Sequence, residues 1–175
     1  MPSSTKITVK DGFLFYDGRT LVGYVGDATD LVLPEISGGY AIGAYAFWGR
    51  TELTSIKIAA SVTSIGDYAF AGCTSLTSVY LSGSALIGQA GVGKYLFWGC
   101  SEELAIGVDI ASEDALPKTW NTDWCTREVV RGHEFRVNDP KWADVNAGQS
   151  YASSRYLVNW GLSYDAFLAM VEANA

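Results

Sequence analysis

Three stretches of this chain repeat one another, and a chain built from copies must fold by stacking them. Ile42-Gly43-Ala44-Tyr45-Ala46-Phe47-Trp48-Gly49 returns as Ile65-Gly66-Asp67-Tyr68-Ala69-Phe70-Ala71-Gly72. It returns again, interrupted, as Ile87-Gly88 and then Lys94-Tyr95-Leu96-Phe97-Trp98-Gly99-Cys100. The step from Ile42 to Ile65 is 23 residues, a period at which each copy forms one coil of a solenoid. Stacked coils build a surface, so binding is the expected function and catalysis is not.

Each copy continues into an alternating apolar pair. Gly49 leads to Ile56 and Ile58, Gly72 to Val79 and Leu81, and Gly99 to Ile106 and Val108. A spacing of two marks a short strand with one buried face. Leu53, Leu76 and Leu104 add a further inward anchor, and Leu31-Val32-Leu33-Pro34 is an earlier partial copy. About four coils result, the first and last irregular as capping units are. A single coil is too small to hide its own large side chains, so Phe47, Phe70 and Phe97 are expected to stack as a buried column. Gly43, Gly66 and Gly88 are expected in tight turns needing open backbone space.

The pattern Ile-Gly-x-Tyr-Ala-Phe-x-Gly-Cys-Thr-Ser-Leu-Thr-Ser-Val, complete at Ile65 to Val79, resembles the BspA-like leucine-rich repeat. Counted by pattern spacing, the resemblance covers roughly residues 5–131. It takes in the opening Asp11-Gly12-Phe13-Leu14-Phe15-Tyr16-Asp17-Gly18 and the closing segment Pro117 to Trp124. The chain departs from the pattern at Arg50, where later copies have Cys, and in the extra residues between Gly88 and Lys94. The resemblance implies a recognition or adhesion module on or from a bacterial cell, contacting an extracellular or host protein or a glycan.

The fold expected is a leucine-rich repeat solenoid, α/β in class but β-rich. It has short parallel strands, irregular or 3₁₀ backs, an N-terminal β-hairpin cap, and a small C-terminal cap with one helix. Residues 1–25 form the hairpin cap, with Asp17-Gly18 as its turn. Residues 26–133 hold the coils and a cap in which Trp120 and Trp124 supply bulk. Residues 134–175 form an extension in which Ser163 caps a helix over about 164–173, with Phe167, Met170 and Val171 on one apolar stripe. Ten residues are too few for a helix to stand alone in water, so it must dock: on the cap, on a larger chain, or on another copy.

Composition narrows the function. A net charge of −7 disfavours nucleic acid, which needs a basic footprint. The densest basic stretch, Lys118, Arg127, Arg131, Arg136 and Lys141, is interleaved with Asp123, Glu128, Glu134 and Asp139 and reads as a solvated surface. No apolar run is long enough to span a membrane, and Met1 to Thr5 do not begin a signal peptide. Either a signal was removed, or the sequence is a piece of a longer chain, or export takes another route.

Catalytic patterns fail on inspection. Gly88-Gln89-Ala90-Gly91-Val92-Gly93-Lys94-Tyr95 approaches a phosphate-binding loop, but Tyr95 stands where that loop needs Ser or Thr. His133 is the only histidine, no Gly-x-Ser-x-Gly elbow occurs, and three scattered cysteines lack zinc-ligand spacing. Asp144 to Gly148 lacks the closing Glu of a calcium loop. No enzyme activity, cofactor or metal is expected. Cys73 and Cys100 share a repeat position and read as free thiols filling a slot, with a disulfide the alternative, which parallel side-chain directions on stacked coils disfavour.

Two surfaces are candidates for binding. Outward strand positions make the ladders Asp30-Ser55-Ser78-Ala105 and Val32-Lys57-Tyr80-Gly107, with Lys57 and Tyr80 the prominent groups. The other surface is the row Tyr45, Tyr68 and Tyr95 with Trp48 and Trp98 beside it. Aromatic rows suit protein interfaces and can stack on sugars. Repeat tyrosines can equally pack on the next coil and expose only their hydroxyls.

Overall fold

A computed structural model describes residues 6–82, 91–101, 103–125, 156 and 158–173. The expectations attached to Gly88, His133, Asp144 to Gly148 and the basic stretch from Arg127 onward fall outside these residues.

The chain opens with β1 (Ile7–Lys10), β2 (Phe13–Tyr16) and β3 (Thr20–Tyr24), an antiparallel meander. Asp11-Gly12 and Asp17-Gly18 turn its corners, and all four residues have positive φ, between 49° and 87°. Mirror-image turns of this kind match the right-handed twist of the strands they join. The expected hairpin is present, with β1 as an added edge strand.

The coils alternate between two sheets. In sheet A, β3 is followed by β5 (Tyr40–Ile42), β7 (Val62–Ile65) and β9 (Gly91–Val92), all parallel. In sheet B, β4 (Asp30–Val32), β6 (Ser55–Ile58), β8 (Ser78–Leu81), β10 (Ala105–Val108) and β11 (Val158–Trp160) stack in parallel. Each coil therefore gives one strand to each sheet, and successive coils lie one strand spacing apart. A chain that alternates sheets at every coil has its apolar positions directed to a single interior. Leu21, Ile42, Ile65 and Val92 line up from sheet A, and Leu31, Ile56, Val79, Ile106 and Val158 from sheet B.

Between the two sheets run the expected 3₁₀-like backs. Bonds from residue i+3 to residue i recur as Trp48 N to Tyr45 O, Arg50 N to Phe47 O and Cys73 N to Phe70 O. These turns drive Phe47, Phe70 and Phe97 inward. Their rings stack at 5.3 and 5.8 Å, and all three are wholly buried. Each contributes roughly 1.5–3 kcal/mol by leaving water.

Two repeat assignments need correcting. Ile87-Gly88 lies outside the described residues, and among those described it is Val92-Gly93 that holds the place of Ile42-Gly43 and Ile65-Gly66, since Val92 pairs with Ile65 and Gly93 N donates to Ile65 O. The glycines at this position are also not there for open φ space, since neither Gly43 nor Gly66 has positive φ. They permit close approach: a Cβ on Gly66 would lie 2.8 Å from Ala44 Cα, and one on Gly93 would lie 2.7 Å from Asp67 N.

At the far end Asn121 N donates to Val92 O, and Tyr95 N and Leu96 N donate to Asp123 O and Trp124 O. The two-Trp segment is therefore one more coil edge, and Trp120 and Trp124 meet edge to face at 5.2 Å. The helix α1 spans Tyr164–Ala173. Ser163 Oγ accepts from Ala166 N at 3.2 Å, the cap expected of it.

Candidate functional site

The repeat places a tyrosine two residues after the close-approach glycine, and the backbone there is unusual. Tyr45, Tyr68 and Tyr95 have φ of 59°, 57° and 52°. A left-handed conformation costs an L-residue roughly 1–2 kcal/mol. Inter-coil bonds hold it in place: Tyr45 N donates to Asp67 O, Tyr68 N to Lys94 O and Tyr95 N to Asp123 O. The conformation swings each ring out of the core and onto the ring of the next coil.

The result is an aromatic ladder. Tyr45 and Tyr68 stack at 5.2 Å and 5° from parallel, and Tyr68 meets Tyr95 at 5.6 Å. Trp48 stacks on Trp98 at 6.1 Å, and both indoles meet Tyr68 edge-on at 6.3 and 6.4 Å. Tyr68 is thus boxed by four rings. Trp48 is 49% exposed and Tyr45 52% exposed, while Tyr68, Tyr95 and Trp98 are half-buried. All five predicted aromatics come together on one surface.

The other predicted surface is covered. Tyr80 is only 3% exposed, because α1 lies across the outer face of sheet B. The Tyr80 hydroxyl donates to Leu162 O at 2.7 Å, and its ring meets Tyr164 and Phe167 at 5.3 and 5.6 Å. Burial, with the charge of Asp109 second, pushes the Tyr80 phenol up to about 12. Lys57 Nζ sits 4.6 Å from the centroid of the Tyr164 ring. The expectation of an open Lys57 and Tyr80 surface is therefore corrected: an outward strand position is exposed only where no later segment returns over it. One signal for this was present. Gly107 is a lone glycine within a strand, which marks close approach by another group. A Cβ there would stand 2.5 Å from the Phe167 ring.

The cysteines do local work. Cys73 Sγ donates to Phe47 O and Cys100 Sγ to Phe70 O, both at 3.1 Å. One coil further, the Tyr156 hydroxyl takes the thiol's place and donates to Phe97 O at 3.0 Å. Cys73 and Cys100 are free thiols. The two thiols are close enough to couple: the neighbouring Cys100 holds the Cys73 thiol below its usual value, while Cys73, with burial, pushes the Cys100 thiol up. Among the described residues no group of three His, Cys, Asp or Glu is placed to hold a metal ion. Among them, too, no helix is long and apolar enough to cross a membrane.

Short parallel strands, turn-rich backs and a buried Phe column define a leucine-rich β-solenoid, a class whose stacked coils serve as binding scaffolds. Residues 39–110 match, in 6 copies, the family described as BspA type leucine rich repeat region. Comparison with curated proteins and with solved structures gives no match.

Proposed function

We propose that the chain is a non-enzymatic recognition module that binds a protein through the Tyr45, Tyr68, Tyr95, Trp48 and Trp98 ladder, on or from a bacterial cell. The observation that carries this reading is the shared register of five rings on one half-exposed surface. Solvent-facing Trp and Tyr are the residues that most often dominate binding energy at protein interfaces. The bacterial surface location rests on the family alone.

A protein partner fits better than a glycan. Sugars pack on open aromatic faces, and here the ring faces are mostly turned on one another. What the ladder offers is ring edges, phenolic hydroxyls and the outer faces of Tyr45 and Trp48, a surface suited to apolar and cationic side chains. Binding to a panel of purified extracellular-matrix proteins and to a glycan array, with a Trp48→Ala/Trp98→Ala variant alongside, tests this. Saturable protein binding lost in the folded variant is the expected result. Binding to sugars alone would overturn the choice of partner, and binding indifferent to both substitutions would overturn the site.

An alternative, that the chain is an assembly domain, is favoured by one observation: β11 and α1 are packed on sheet B as parts of the solenoid. Light scattering during gel filtration checks for self-association.

A further inference from the structure

Tyrosine rings touch in three pairs among the described residues, and the pairs differ in what can reach them. Tyr80 and Tyr164 meet at 5.3 Å, but Tyr80 is 3% exposed and its hydroxyl is donated to Leu162 O. Tyr68 and Tyr95 meet at 5.6 Å with their planes 42° apart, and both are half-buried. Tyr45 and Tyr68 lie at 5.2 Å and 5° from parallel, and Tyr45 is 52% exposed. Only this last pair combines a parallel stack with a ring open to solvent.

The stack also has the alignment that carbon–carbon coupling of two phenols needs. Tyr45 and Tyr68 hold the same repeat position and nearly the same left-handed φ, 59° and 57°. Parallel rings on equivalent backbones point their hydroxyls the same way, so the carbons ortho to one hydroxyl face those of the other. Tyr68 is held in place by Tyr45, Tyr95, Trp48 and Trp98 around it. Tyr45 ends the row, and its solvent side leaves it room to tilt through the last part of the approach.

We propose that Tyr45 and Tyr68 are a site of oxidative coupling, where a peroxide acting through a haem peroxidase joins them as dityrosine. Each phenol gives up one electron and one proton. The two phenoxyl radicals join carbon to carbon at their ortho positions, and the hydrogens on the joined carbons move to the oxygens. The chain loses two hydrogens in all, and one peroxide is reduced to two waters. Holding the rings in contact gives internal coupling the advantage of proximity over coupling between chains. The bond staples one coil to the next and closes a loop in the unfolded chain. It requires no partner protein and stands independently of the recognition reading.

The test treats the full chain, at high dilution, with hydrogen peroxide and a haem peroxidase. The monomer should gain dityrosine fluorescence and lose the mass of two hydrogens, with the crosslink mapping to the peptides that carry Tyr45 and Tyr68. Tyr45→Phe, which keeps the ring and the stack, should lose both signals. Tyr95→Phe and Tyr164→Phe should keep them. A crosslink mapping to another pair, coupling only between chains, or no coupling under conditions that couple free tyrosine overturns the proposal. So does a Tyr45→Phe monomer that gains as much dityrosine as the wild type.

Discussion

Trp48 and Trp98 stand two coils apart, yet their rings stack at 6.1 Å and 17° from parallel. Two strand spacings amount to about 9.5 Å, so the indoles lean together across the intervening coil. They can do so because that coil has Ala71 at the shared position, fully buried beneath them. The ladder is one cluster and not a set of independent side chains. A double-mutant cycle on Trp48→Ala and Trp98→Ala should therefore return a coupling of about 0.5–1 kcal/mol in urea unfolding. Strict additivity would mean that the rings do not touch in solution.

Phe70 is the centre of the buried column, with Phe47 on one side and Phe97 on the other. Phe70→Ala should cost about 3–5 kcal/mol, because neither flanking coil can collapse into the space. Urea unfolding measures it. A loss under about 1 kcal/mol would show that the coils do not stack on this column.

The column, the strand pairs, the Asp17-Gly18 turn, the Ser163 cap and the helix bounds were all legible in the sequence, since each is set by spacing or by a residue with few alternatives. Three features were not. The second sheet was hidden because Val62-Thr63-Ser64-Ile65 does not alternate: a register shift between Tyr40 and Ala41 breaks the period. The third coil was aligned on Ile87-Gly88 because that pair repeats the motif in sequence, whereas the pairing of Val92 with Ile65 and the bond from Gly93 N to Ile65 O show where the coil resumes. Coverage of Lys57 and Tyr80 depends on a segment more than 80 residues beyond Tyr80, a contact that no local pattern encodes.

Left-handed backbone at the ladder tyrosines has a measurable signature. At Tyr68, with φ 57°, glycine should be better tolerated than alanine. Both substitutions lose the stacking, but only alanine keeps the left-handed penalty. Tyr68→Gly should be about 0.5–1 kcal/mol more stable than Tyr68→Ala, the reverse of the usual order at strand or helix positions. Equal or opposite ranking in thermal unfolding would contradict the conformation.

Tyr156 ties the C-terminal extension to the core by donating to Phe97 O and Cys100 O, both at 3.0 Å. Tyr156→Phe keeps the ring against Phe97 and removes the donor, which should cost about 1–3 kcal/mol. Hydrogen exchange should then speed up in β11 before it does in β8. Unchanged stability would mean that the extension is not seated on the last coil.

Asp30 accepts from Ser55 Oγ at 2.7 Å and from Thr54 Oγ1 at 2.9 Å, and the Ser55 bond, then the Thr54 bond, holds its carboxyl below the usual range. A lowered folded pKa contributes stability that is present above the ordinary value of about 3.9 and lost as pH falls through the folded value. The group is largely exposed, so the effect is small. Asp30→Asn should lose less stability than wild type between about pH 5 and pH 2. Parallel curves for the two proteins would rule out this contribution.

The most direct test of the recognition surface is the binding screen against extracellular-matrix proteins, read for the wild type and for Trp48→Ala/Trp98→Ala. Saturable binding to a protein by the wild type, reduced at least about tenfold in a variant with unchanged circular dichroism, is the predicted result. Equal affinity in the two proteins would contradict it and remove the ladder from the binding site.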